Sequence, residues 1–197
     1  MNKGNIIVQI GLDLLDKWNK YQCSEIKPNV IRCNNGQLTF VKHTDGNSWC
    51  AAFVSTVISI FNDSYPNDPI NIKLTASTYE MYNSAKQNGY IIDKNPQVGD
   101  IFYRKYSNSY CKSTGSAANC GHVGIVYKVD IINNLVYTIE GNVNNKIDII
   151  KHKYDEFITG TINVPEGHFL IHLDPINYNQ NSNVNNYLFI KQRNYYL

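Results

Sequence analysis

Two segments decide the fold: Gly121-His122-Val123-Gly124-Ile125-Val126-Tyr127-Lys128-Val129, and Leu135-Val136-Tyr137-Thr138-Ile139-Glu140-Gly141-Asn142-Val143. Apolar residues alternate in both, at Val123, Ile125, Tyr127 and Val129, then at Leu135, Tyr137, Ile139 and Val143. A period of two is that of a half-buried strand, and Asn133-Asn134 between them is a turn signal. Directly opposed residues of an antiparallel pair share a face. If the odd-numbered sets face the core, the even-numbered residues share the other face. That face then carries His122 on one strand and Glu140 and Asn142 on the next. The register opposes Gly124 to Glu140 and His122 to Asn142. A slip of one residue would bury the polar set and expose the apolar one, which specifies the register.

Upstream of this pair the pattern is helical. Ile6 to Tyr21 places Ile7, Ile10, Leu14, Leu15 and Trp18 at helical spacing. Gln22 to Asn47 reads as loop, with a turn signal at Asn34-Asn35-Gly36. Ser48 to Phe61 carries a buried stripe of Phe53, Val54, Val57, Ile58 and Phe61. Thr75 to Asn88 is a third helix, with Thr75 or Ser77 as cap and Gly89 placed to end it. Ile101 to Tyr103, Phe169 to Leu173 and Tyr187 to Ile190 are further strands. Helices first and strands later, without repeats, predict an α+β domain with helices packed on an antiparallel sheet. A single domain over 1–197 is expected, with its core in about 40–175 and a surface loop in the Asn-rich stretch 177–186.

Asn47-Ser48-Trp49-Cys50-Ala51-Ala52-Phe53-Val54-Ser55 is where a polar loop becomes an apolar helix. A helix start offers free N–H groups and the positive end of the helix dipole, both of which favour thiolate over thiol. Cys50 is therefore a candidate nucleophile. A thiolate also needs a base, and the base needs a third group to orient it. His122 and Glu140 or Asn142 are of the right types. Glycines at Gly121 and Gly124, flanking His122, suggest space kept for close approach. A Cys in an apolar helix is more often a small core residue, so Cys50 gains its meaning from the company it keeps.

The chain has 197 residues, a net charge of +2 and charged residues at 17%. That composition is globular, and it offers no Lys/Arg stripe for nucleic acid. No run of 18 apolar residues spans a membrane, and Gln9, Asp13 and Asp16 interrupt any signal-peptide core. Of the five cysteines, Cys23 lies near Cys33 and Cys111 near Cys120. Two local disulfides and one free thiol are one solution, and five reduced thiols are the other. No CxxC is present, which argues against zinc.

The motifs Asn47-Ser48-Trp49-Cys50-Ala51-Ala52-Phe53-Val54, Val98-Gly99-Asp100-Ile101, Gly121-His122-Val123-Gly124-Ile125-Val126 and Glu140-Gly141-Asn142 resemble those of CHAP domains. These are cysteine, histidine-dependent amidohydrolases/peptidases of the papain-like superfamily, close to NlpC/P60 enzymes. The resemblance covers about 40 to 145. It implies a papain-like fold and cleavage of bacterial peptidoglycan, as an N-acetylmuramoyl-L-alanine amidase or an endopeptidase. It implies Cys50 as nucleophile and His122 as general base and then acid. Glu140 would orient the imidazole, with Asn142 assisting or substituting. The oxyanion donors would be the Cys50 N–H and a polar group upstream, for which Asn47 is the candidate. Trp49 would line the groove or pack beneath the Cys. Some relatives hold calcium through carboxylates before the Cys; Asp45 and Asn47 form no acidic cluster, so no metal and no cofactor are expected. The insert from Ser107 to Asn119, bracketed by Cys111 and Cys120, reads as a stapled loop shaping the groove.

His43, His152, His168 and His172 are given structural roles, and Tyr195-Tyr196 terminal packing rather than sugar stacking. A catalytic chain without a signal fits a phage lysin, or an effector delivered to the periplasm with a cognate immunity protein protecting its producer. Two alternatives stand beside this reading: an inactive wall- or protein-binding module, and a Cys hydrolase acting on protein amide bonds.

Overall fold

The computed structural model describes residues 2–27, 30–34, 38–44, 47–113, 120–159 and 165–175. The expected loop at 177–186, the strand Tyr187 to Ile190, Tyr195-Tyr196, Asp45 and the distal half of the 107–119 insert lie outside them.

Helix α1, Lys3–Lys20, starts earlier than the apolar spacing indicates because Asn2 caps it, Oδ1 accepting from Asn5 N at 2.7 Å. Asp174 supports the same turn, its carboxylate oxygens accepting from Lys3 N at 2.9 Å and Gly4 N at 2.7 Å. The segment read as loop holds a short antiparallel hairpin, β1 Ser24–Lys27 and β2 Val30–Arg32, and a Cys23–Cys33 disulfide closes its base. Helix α2 runs Cys50–Ser64. Helix α3, Thr78–Gln87, is capped by Ser77, and Gly89 beyond its end takes the left-handed φ of 77°.

The remaining elements are β3 Ile92–Asp93, β4 Ile101–Tyr106, α4 Asn108–Ser113, β5 Gly121–Asp130, β6 Leu135–Val143, β7 Lys146–Lys153, α5 Tyr154–Thr159 and β8 Pro165–Ile171. Six strands form one antiparallel sheet in the order β3-β8-β4-β5-β6-β7. The architecture is α+β, as the order of periodicities predicts. Odd-numbered residues Ile101, Tyr103, Val123, Ile125, Ile139 and Ile171 share the main core with Ile7, Leu14, Phe53, Val57 and Phe61 of α1 and α2.

The β5–β6 register opposes Gly124 to Glu140 and Ile125 to Ile139, as the alternation demands. It departs in two places. A bulge between Val126 and Lys128 shifts the pairing to Lys128–Tyr137 and Val129–Val136. This turns Val129 away from the main core, against a second cluster of Phe102, Val126, Val136, Phe157 and Leu170 on the opposite face. The ladder also ends at Gly124–Glu140, so His122 does not pair with Asn142. The cause lies in β6: Asn142 has φ 62°, and the β6–β7 pairing is irregular between Glu140 and Val143. β7 follows through Asn144-Asn145, with φ 46° and 65°, the two left-handed residues of a tight hairpin turn.

The turn into β4 is fastened from several sides. Gly99, at φ 91°, donates to Val126 O at 2.8 Å, and Val126 N returns a bond to Asp100 O at 2.8 Å. Asp100 accepts from Gln97 N at 2.6 Å and meets His172 Nδ1 at 2.9 Å, while His172 Nε2 meets Asp93 at 2.7 Å. This gives His172 the structural role expected of it.

Gly141 lets α2 lie directly on β6, since a Cβ there would fall 2.5 Å from Phe53 Cβ and 3.0 Å from Trp49 Cζ3. Gly141→Ala is expected to cost about 1–3 kcal/mol by overpacking. Urea unfolding measures the loss, and an unchanged midpoint would show that α2 does not depend on this approach.

Candidate active site

Helix α2 delivers Cys50 at its first position. Trp49 at the N-cap gives the helix no side-chain hydrogen bond, so the N–H groups of the first turn remain directed at whatever lies ahead of it. Trp49 itself is wholly buried, stacked between Trp18 and Phe40 with both ring centroids at 5.3 Å, and its Nε1 donates to Glu25 Oε2 at 3.3 Å. It packs behind the cysteine and presents no face to a groove, which corrects the groove-lining expectation. The size of the indole and the Trp18 and Phe40 rings on either side of it account for this.

The sheet delivers the rest. Cys50 is the one free cysteine of the five; Cys23–Cys33 and Cys111–Cys120 are disulfides. Cys50 is buried, and its sulfur is hydrogen-bonded by the His122 ring and by the N–H groups of Val123 and Ala51. His122 stands at the start of β5, where its Nε2 lies 2.7 Å from Glu140 Oε2. With Nε2 committed to the carboxylate, Nδ1 is the nitrogen left to face the sulfur. Gly124 is what allows this: a Cβ there would sit 2.8 Å from Glu140 Cγ and 2.6 Å from Phe102 Cε1.

Glu140 is buried, and its second oxygen is also occupied. Oε1 accepts from Thr138 Oγ1 and lies 2.7 Å from His152 Nε2. His152, assigned only a structural role by the sequence, thus reaches the carboxylate from β7, and its Nδ1 is 3.3 Å from Arg104 Nη2 on β4. The sequence missed it because β7 was not read as a strand. The residues carried together are Cys50, His122, Glu140 and His152, in line.

Asn142 stands two residues past Glu140 at a left-handed φ of 62°, and the His122 Nε2 bond goes to Glu140, the orienting residue the sequence named first. Asn47 is exposed, and its Nδ2 donates to Thr44 Oγ1. His43 lies apart in the segment before α2, and the His168 side chain lies outside the described structure. Tyr106 at the end of β4 is held above the ordinary phenol value by burial, with Arg104 opposing and the charges of Tyr110 and Cys50 adding.

The electrostatics follow from the line. Burial pushes the Cys50 thiol up, but the His122 hydrogen bond and charge and the two backbone N–H groups outweigh it and hold the thiol below its ordinary value. Burial lowers His122, while its bonds to Cys50 and Glu140 and their charges raise it to about 10. Burial raises the Glu140 carboxyl, yet the bonds to His122 and His152 keep it well below the usual carboxylate range. All three shifts run in the same direction, favouring thiolate, imidazolium and carboxylate over their neutral forms. That combination provides a nucleophile already ionised beside an acid able to give up its proton.

A CHAP domain family model matches residues 42–142, just over half of the 197-residue chain. No curated protein and no solved structure matches it.

The raised His122 and lowered Cys50 fix a sign. Alkylation of Cys50 by iodoacetamide should persist well below pH 9.0, its ordinary value. In His122→Ala only the two backbone N–H groups still oppose burial, so the thiol rises and the alkylation midpoint moves to higher pH. A wild-type alkylation midpoint at or above 9, or one unmoved by the substitution, would contradict the ion pair.

Proposed function

The chain belongs to the CHAP domain family, papain-like hydrolases of amide bonds for which peptidoglycan is the substrate class, and we propose that it cuts a peptidoglycan amide bond through a thioester on Cys50. The observation that carries this reading is the Cys50–His122–Glu140 line, in which one imidazole joins a sulfur at a helix start to a buried carboxylate.

The Cys50 thiolate attacks the scissile carbonyl, and the resulting oxyanion lies at the N-terminus of α2, within reach of the Cys50 N–H. Asn47 is a less favoured second donor, because its amide is turned to Thr44. The protonated His122 gives its proton to the departing amine as the C–N bond breaks. Water then enters, His122 takes a proton from it, and hydroxide addition to the thioester releases the carboxylic acid and the thiolate. Glu140 touches no substrate in this scheme; it holds the ring and stabilises its charge through both steps.

Two disulfides support action outside the reducing cytoplasm, at the cell wall or in the periplasm. Release as a phage lysin and delivery as an antibacterial effector both meet that condition.

The test is clearance of purified sacculi, followed by mass spectrometry of the soluble muropeptides. Wild type should lower turbidity, and Cys50→Ala should abolish the effect, losing at least about 10³-fold. The fragment masses name the bond, amidase or endopeptidase. Equal behaviour of wild type and Cys50→Ala would replace hydrolysis with binding.

A further inference from the structure

The Cys50–His122–Glu140 line does not end at Glu140. Its Oε1 is held by Thr138 and by His152 Nε2 at 2.7 Å, and His152 Nε2 also lies 3.0 Å from Thr138 Oγ1. Its other nitrogen, Nδ1, faces Arg104 Nη2 at 3.3 Å. A guanidinium has only donors to offer. The nitrogen it faces must therefore accept, which requires an unprotonated Nδ1 and puts the single ring proton on Nε2, pointing at Glu140. A second proton on Nδ1 would set N–H against N–H beside a fixed positive charge.

We propose that His152 is a positioning residue of this site, held by Arg104 as the neutral Nε2–H tautomer so that it aims Glu140 at His122 without neutralising it. The distinction matters because a charged His152 would compete with His122 for the same carboxylate. A neutral donor fixes one oxygen and leaves the full negative charge to His122 on the other. The surroundings strengthen the effect. Phe102 lies 6.0 Å and Phe157 5.6 Å from the His152 ring, centroid to centroid, and Phe102 lies 5.9 Å from His122. This apolar collar excludes water from the carboxylate. Among the described residues, the titratable and charged groups facing the network include Arg104 and Tyr106 from β4, His122 from β5, Glu140 from β6, Asp148 of β7 in register opposite Glu140, and Cys50 from α2; α5 contributes the Phe157 ring. The register makes the contact possible, since β7 pairs His152 with Val136 and Ile150 with Thr138, placing the imidazole on the face that holds Glu140.

The inference rests on the Cys–His–Glu reading of the site and is tested without peptidoglycan. Histidine-selective ¹⁵N NMR of the wild-type chain, disulfides intact, reports the tautomer directly. His152 should show a protonated Nε2 and a bare Nδ1, while His122 shows both nitrogens protonated. Two protonated nitrogens on His152 at pH 7, or a proton on Nδ1 alone, overturns the proposal. The second measurement is the pH profile of Cys50 alkylation in H152L and H152Q. H152L should lose about 10- to 100-fold at pH 6–7, the scale for removing an outer partner of an orienting group. H152Q, whose amide can donate to the same oxygen, should recover most of that loss. A wild-type profile in H152L, or an equal loss in folded H152Q, overturns the assignment. If H152L does not fold, the wild-type spectra and H152Q still decide. Should the predicted spectra and profiles appear while sacculi remain intact, the substrate assignment fails and the role of His152 stands.

Discussion

A carboxylate buried in a protein is tolerated only when its oxygens are satisfied, and around Glu140 this requirement organises the sheet. One oxygen is taken by His122 of β5, the other by Thr138 beside it and His152 of β7. Three neighbouring strands must therefore hold a common register at this point. The residue opposite, Gly124, must be small enough to leave the carboxylate where it is. The charge also explains the order of events in the site. An imidazole between a carboxylate and a sulfur keeps its proton, and a sulfur facing an imidazolium loses its own.

Much of this was legible in the sequence because it followed periodicity. The alternation of Val123 to Val129 against Leu135 to Val143 placed Gly124 across from Glu140 and gave Val123, Ile125, Tyr127 and Ile139 to the main core, as observed, but not Leu135, Tyr137 or Val143. The stripe of α2 and the Ser77 and Gly89 signals of α3 located those helices to within a few residues. The ends of the strand pair were misread for one physical reason: parity cannot foresee a bulge. One extra residue near Tyr127 sent Val129 to the other face, and left-handed Asn142 took itself out of opposition to His122.

The site was legible as far as its chain of chemical types could be read locally. His152 was not, because Lys146-Ile147-Asp148-Ile149-Ile150-Lys151-His152-Lys153 reads as a charged segment. The available clue was Asn144-Asn145. A two-residue turn of asparagines, which accept left-handed geometry, signals a hairpin whose return strand must cross beside Glu140. Of the two placements open to Trp49, the structure takes the second: the helix start turns the sulfur toward the sheet and the indole into the Trp18–Phe40 stack, so the residue packs rather than lining a groove. Helix α5 and the second apolar cluster it covers carried no strong periodic signal, being only six residues long.

The arrangement of the cysteines bears on how the chain reaches this state under oxidising conditions. Each disulfide joins partners only 10 or 9 residues apart. Such short loops close more readily than the 61 or 70 residues that would bring Cys50 to Cys111 or Cys120 and, by a smaller margin, than the 17 residues between Cys33 and Cys50. The four paired thiols therefore find one another early, by proximity along the chain. The burial of Cys50 at the start of α2 then removes from exchange the one sulfur whose acidity would make it the most aggressive scrambler. The close spacing of the paired cysteines, with the fifth buried, favours keeping the reactive thiol out of mispaired disulfides.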